Sequence, residues 1–221
     1  MKVIITGATG MIGRGVLLEC LDHPEVEEVL AIVRTSTGEQ HAKYKELIHK
    51  DFADFTSVKD QLQGYDACYA TMGLSVAGLS EEKYTHLTYN MTMALAKTLY
   101  EINPDMTFNY VSGVGTDSSE KGRTMWARVK GKTENDVMKL GFKKAIMFRP
   151  GGIIPLRGIK SRTPMYQFML TYFLWMLKLI QWINPNSITD TTRIGLAMIN
   201  SHKKGTDGTI LMPKDINALA E

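Results

Sequence analysis

Short apolar runs alternate with longer amphipathic stretches through the first two-thirds of the chain. Val3-Ile4-Ile5 precedes a glycine-rich turn, and a helix is predicted from about Met11 to Leu21, stopping near Asp22-His23-Pro24. Val29-Leu30-Ala31-Ile32-Val33 is the second run, Leu47-Ile48 a weaker third, Ala67-Cys68-Tyr69-Ala70 a fourth and Phe108-Asn109-Tyr110-Val111 a fifth. Ala145-Ile146-Met147-Phe148 follows a helical stretch from about Trp126 to Leu140. Continuous apolar runs separated by helices are what a parallel sheet covered on both faces requires. The pattern predicts a doubly wound α/β fold.

From Arg149-Pro150-Gly151-Gly152 the texture changes. Glycine, proline and basic residues fill 149–164, and an apolar stretch runs from Met165 to Ile183. A short helical piece around Thr192 to Ile199 and a polar tail complete the chain. This places a boundary near residue 150, between a core of 1–150 and a small C-terminal cap of 151–221 packed on it.

As a helix, 165–183 would be roughly 28 Å long, close to the thickness of a bilayer core. Gln167, Thr171, Lys178 and Gln181 form a narrow polar stripe on it, interrupted by Leu174. Phe168, Tyr172, Trp175, Leu179 and Trp182 occupy the wide apolar remainder. One charge and two amides weigh against a spanning helix. The leading expectation is burial against the sheet or in a subunit interface of a homo-oligomer. Peripheral contact with a membrane or lipid-like ligand stays open, because Arg157, Lys160 and Arg162 just upstream suit anionic headgroups.

Composition narrows the function classes. The 221 residues carry 26 basic and 23 acidic side chains, a net charge of +3 with no concentrated basic patch, so nucleic acid is not an expected partner. Cys20 and Cys68 are too few for a disulfide framework, and the five histidines have no metal-ligand spacing, so no metal is assigned. Thr6-Gly7 interrupts the first apolar run before it reaches the length of a secretory leader. Reduced thiols and the missing leader give a cytoplasmic expectation, with a membrane-peripheral location open through 165–183.

Gly7-Ala8-Thr9-Gly10-Met11-Ile12-Gly13 is a G-x-x-G-x-x-G run between the first strand and a helix. Such a loop turns sharply, brings backbone N–H groups to a pyrophosphate and packs the helix close to the strand. The helix N-terminus adds partial positive charge. At the end of the second strand an acidic residue would bind the ribose 2′-hydroxyl of NAD, whereas an arginine accommodates the 2′-phosphate of NADP. Arg34 stands there, with no carboxylate until Glu39. NADP is the expected cofactor ahead of NAD, in a Rossmann-type core.

With these motifs in order, the chain resembles the atypical and extended short-chain dehydrogenase/reductases, the NAD(P)-dependent epimerase/dehydratase-like proteins. Thr6-Gly7-Ala8-Thr9-Gly10-Met11-Ile12-Gly13 is similar to their T-G-A-T-G-x-x-G loop. Lys50-Asp51-Phe52-Ala53-Asp54 resembles their D-x-x-D, which implies that Asp51, with Phe52 beside it, contacts adenine. By the same resemblance Thr71, Met72 and Gly73 line the cofactor, and Asn90 is the family's helix-four asparagine. The resemblance likewise implies that Ser112 is the active-site serine and that Arg149-Pro150-Gly151 leads into the substrate segment.

One departure bears on chemistry. The family's Y-x-x-x-K reads Trp126-Ala127-Arg128-Val129-Lys130 here. The resemblance gives Lys130 the nicotinamide ribose and Ser112 the substrate oxygen. An indole N–H, however, cannot act as a general acid–base. Tyr84, Tyr89 or Tyr166 reaching in from elsewhere, Lys130 itself, or a bound water are the alternative proton carriers. Two functions stand open: an oxidoreductase or epimerase acting on a small apolar carbonyl substrate, and a non-catalytic NADP-binding regulator or interaction protein.

Overall fold

The computed structural model describes residues 1–160, 164–184, 186–206 and 208–221; between 164 and 174 the only side chains described are Phe168 and Tyr172. Tyr166 and Arg162, named above, lie outside the described side chains, as do Gln167, Thr171 and Leu174.

The apolar runs become strands β1 (Lys2–Thr6), β2 (Glu28–Val33), β3 (Tyr44–Ile48), β4 (Ala67–Ala70), β5 (Thr107–Val111) and β6 (Lys144–Phe148). With β9 (Ile210–Leu211) they form a seven-stranded sheet in the order β3-β2-β1-β4-β5-β6-β9. Every pairing is parallel. This is the expected Rossmann-type doubly wound sheet, and its strand order reverses between β1 and β4.

Alternating side chains feed two apolar layers. On one face Val3 and Ile5 pack with Val16, Leu17 and Cys20 of α1 (Met11–Asp22) and with Ile194, Met198 and Ile199 of α6 (Thr191–Lys203). On the other, Ile4, Cys68 and Phe108 pack with Leu95 and Leu99 of α3 (Met91–Ile102) and Val137 of α4 (Met125–Leu140). A 3₁₀ turn, Thr56–Leu62, closes that layer. Both cysteines are buried and free.

The helix entering α3 escaped the pattern reading. α2 (Glu81–Thr85), a π turn over His86–Asn90 and α3 run on as one helix. Ser80 caps its start, its Oγ accepting from the Lys83 N–H at 3.3 Å.

Beyond residue 150 the chain leaves the sheet and returns. β7 (Gly152–Ile154) and β8 (Ile188–Asp190) make a separate parallel pair. α5 (Pro164–Ile183) leans on it through Leu177, which packs with Ile154 and Ile188. α6 then covers α1, β9 joins β6 as the last strand, and α7 (Pro213–Leu219) packs beside them. Within 151–221, α6 thus joins the apolar layer over α1 and β9 extends the main sheet. The wide face of α5 is not buried against the sheet either. Phe168, Tyr172, Trp175, Leu179 and Trp182 are all exposed. Among the described residues no helix is long and apolar enough to cross a membrane.

Candidate functional site

The carboxyl ends of β1 and β4 open a crevice where strand order reverses, and the glycine loop fills its floor. Gly7 is left-handed, with φ +75°. A Cβ there would sit 2.8 Å from the Thr71 carbonyl and the Met72 nitrogen. A Cβ at Gly13 would lie 2.1 Å from the Gly7 oxygen, and one at Gly10 3.3 Å from it. Only glycine lets α1 begin this close to β1 and β4. The Thr71 hydroxyl fastens the two strands, donating to the Thr6 oxygen at 2.7 Å.

No side chain caps α1 at Gly10, and its first turn holds no acidic residue. The N–H groups of Met11, Ile12 and Gly13 therefore have no acceptor among the described residues, and Thr9 is exposed beside them. Orphan donors, a cradle that a Cβ would fill, and the helix's partial positive charge fit a pyrophosphate.

Arg34 lies one residue beyond β2, exposed and without an ion pair among the described residues. The sequence reading missed its neighbour Arg14, whose guanidinium pairs with Glu39. The chain after β2 thus folds the first available carboxylate back onto the glycine loop. A cleft of about 510 Å³ opens here, lined by Thr9, Gly10, Arg14, Arg157 and Lys160 among others. Arg157 is already committed to Glu19 at 3.2 Å and Asp22 at 2.8 Å. Asp51 is exposed and accepts from the Ala53 N–H at 2.9 Å, while Phe52 is buried edge-on against Phe55. Met72 is half-buried at the end of β4, and Gly73 faces open space.

At the other end of the crevice Ser112 and Lys130 meet. Ser112 follows β5, and the Lys130 ammonium, reaching from α4, donates to the Ser112 carbonyl at 2.6 Å. Burial pushes the Lys130 ammonium down to about 8, while the nearby Glu134 carboxylate pulls the other way. Glu134, one helical turn after Lys130, is fully buried. It accepts the Ser112 hydroxyl hydrogen and pairs with Arg149. Arg149 Nε donates to Glu134 Oε1 at 3.0 Å, and its Nη2 to the Ser118 hydroxyl at 2.5 Å. Glu134 and Arg149 form the centre of this buried network, and neither was picked out as a functional residue from the sequence. The only hint was a glutamate four residues beyond the lysine, on the same helix face.

The remaining positions divide. The Pro150 carbonyl accepts from the Val114 N–H at 3.0 Å and so ties the R-P-G segment to the loop after Ser112. A Cβ at Gly151 would meet the Ser187 oxygen at 3.2 Å. Asn90 is exposed on the π turn, 3.5 Å from His86 Nδ1. Trp126 begins α4, with its ring edge 3.3 Å from where a Gly115 Cβ would be. Tyr89 donates to Asp136 at 2.8 Å on the flank of α4, away from Ser112. Tyr84 is buried, and burial raises its hydroxyl above the ordinary range. Among the described tyrosines, none is hydrogen-bonded to Ser112 or Lys130.

Comparison with known proteins agrees with this geometry. The model of the NAD dependent epimerase/dehydratase family matches residues 3–134. "Protein FMP52, mitochondrial" of Candida albicans is 24% identical over 218 residues, covering 95% of this chain and 91% of that protein. Its Emericella nidulans namesake is 23% identical over 217 residues, covering 95% and 90%. Among solved structures, an oxidoreductase of the short-chain dehydrogenase/reductase family from Burkholderia thailandensis superposes with TM-score 0.71 at 15% identity, covering all of this chain and 93% of that one. Gre2 of Candida albicans, in complex with NADPH, superposes with TM-score 0.68 at 14% identity, covering 96% and 78%. The cytoplasmic expectation is corrected by the relatives: those of Candida albicans, Emericella nidulans and Candida glabrata are named mitochondrial. The break in the apolar run at Thr6-Gly7 bears on secretory leaders alone and does not separate cytosol from mitochondrion.

Proposed function

The chain belongs to the NAD dependent epimerase/dehydratase family, and from that premise we propose that it is an NADP-dependent oxidoreductase or epimerase-like enzyme acting on a small apolar carbonyl or alcohol. The glycine cradle carries this reading, with Gly7 and Gly13 pressed against Thr71 and each other at distances that exclude any side chain. The N–H groups of 11–13 would hold the pyrophosphate, and Arg34, with Arg14 once released from Glu39, the 2′-phosphate. Asp51 and Phe52 would border the adenine, and Thr71, Met72, Gly73, Asn90, Pro150 and Gly151 the rest of the dinucleotide. Bound there, the dinucleotide would supply or take up a hydride at its nicotinamide ring.

The proton is left to this chain's own groups. Ser112 gives its hydrogen to Glu134, so its oxygen offers lone pairs to the cleft and accepts a hydrogen bond from a substrate hydroxyl. Lys130 keeps two N–H groups beyond the one spent on the Ser112 carbonyl. An ammonium brought to about 8 is matched to proton transfer near neutrality. Lys130 therefore takes the place of the absent tyrosine as acid and base, and Arg149 pairs with the Glu134 carboxylate that orients Ser112.

The test is a fluorescence titration with NADPH and NADH, then NADPH oxidation over a panel of carbonyls. Saturable NADPH binding, with turnover lost in both Ser112→Ala and Lys130→Met, is the expected result. Absence of binding by either nucleotide overturns the reading. Trp126 favours a second one, a non-catalytic NADP-binding regulator, which tight binding without turnover on any panel member would select.

A further inference from the structure

The outward face of α5 is an apolar surface left exposed among the described residues. At 100° per residue, Trp182, Trp175, Phe168, Leu179, Tyr172 and Ile183 follow one another across an arc of about 100°. Trp175 is 64% exposed and Trp182 81%. The opposite side of the helix carries Leu177, buried against Ile154 and Ile188, so the fold fixes which face looks out. From Lys178, which is exposed, the flank of the arc begins about 40° beyond Trp182.

Charge selects the occupant. No aspartate or glutamate occurs between Asp136 and Asp190, whereas lysines and arginines recur throughout that interval. Tryptophan and tyrosine, apolar in body and polar at the tip, are the residues enriched at the boundary between lipid headgroups and acyl chains. A lysine on the flank of such a face can lay its stem along the apolar surface and lift its ammonium to a phosphate. A self-paired dimer seam would gain nothing from a stretch purged of carboxylates.

We infer that α5 docks the protein in the plane of an anionic lipid surface, its aromatic arc inserted among the headgroups and Lys178 on a lipid phosphate. The test is co-sedimentation of the full chain with phosphatidylcholine vesicles, with and without phosphatidylglycerol. The protein should pellet with the anionic vesicles, less so as salt rises. Trp175→Ser with Trp182→Ser should weaken partitioning by roughly tenfold or more. Both positions are exposed, so circular dichroism should match the unaltered protein. Native tryptophan emission should shift to the blue on vesicle binding, and the double variant should lose the shift. Retention in the supernatant with anionic vesicles overturns the inference, as does equal pelleting of the double variant. A dimer that the double variant dissociates, without vesicle binding, assigns the face to a second copy and overturns it too.

Discussion

Replacing Lys130 by methionine should stabilise the protein near neutral pH and destabilise it in alkali. Burial takes the ammonium from its ordinary 10.5 to about 8 in the fold. Holding it charged below pH 8 therefore costs about 3 kcal/mol relative to the unfolded chain. Methionine removes that cost but forfeits the 2.6 Å bond to the Ser112 carbonyl, a loss of about 1–2 kcal/mol. The net gain at pH 7 is about 1–2 kcal/mol. Between pH 8 and 10.5 the unfolded lysine binds more protons than the folded one. Native stability due to this group therefore rises with pH across that window. Above it only the forfeited bond remains, and the variant becomes the less stable by about 1–2 kcal/mol. Urea denaturation of both proteins at pH 7 and in alkali reads the crossing. Cys20 and Cys68, whose thiols burial pushes up, titrate in the unfolded chain over a similar range but cancel in the difference. Parallel pH profiles, or a variant less stable at pH 7, would refute the desolvated ammonium and the proton-carrying role built on it.

Gly13→Ala should cost about 3 kcal/mol, because its Cβ falls on the Gly7 carbonyl. It should also abolish nucleotide binding, and native-like behaviour in both denaturation and titration would rule out the cradle. Arg34→Ala should weaken NADPH about tenfold and NADH little, whereas Glu39→Gln, by freeing Arg14, should strengthen NADPH binding a few-fold. Equal changes for both nucleotides in either titration would contradict the assignment to the 2′-phosphate. Trp126→Tyr should raise turnover and make it less dependent on Lys130; unchanged rates with unchanged binding would show that the missing tyrosine is not what limits the reaction.

The glycine loop and the six long strands were readable because each sits in a local pattern that tertiary contacts only confirm. β9 was not. Two residues between glycine, threonine and methionine carry no periodicity, and Ile210 and Leu211 become a strand only because β6 offers an edge. The helix through 81–102 began with a readable cap at Ser80, but the π turn inserts a residue and shifts the apolar stripe midway. α5 was legible as a helix, not in its orientation: the choice of inward face rests on Leu177 meeting β7 and β8, a distant contact. Glu134 looks like a surface carboxylate on an amphipathic helix until Arg149 arrives beside it. In the candidate site, Ser112 and Lys130 came from the motif order, and the charged pair behind them from the fold.

The crossing of α1 and α6 ties an early stretch of the chain to a late one. A Cβ at Gly15 would fall 2.6 Å from the Thr191 side chain, and one at Gly195 2.7 Å from that of Glu19. The Thr192 hydroxyl donates to Glu19 at 2.9 Å. Synthesis delivers the glycine loop well before the helix that packs on α1. Until α6 is made, α1 rests on β1 through Val16 and Cys20, but its Gly15 and Glu19 side has no helix against it. A chain cut before residue 191 keeps every glycine of the loop yet lacks the helix whose Thr191 and Thr192 meet Gly15 and Glu19 of α1.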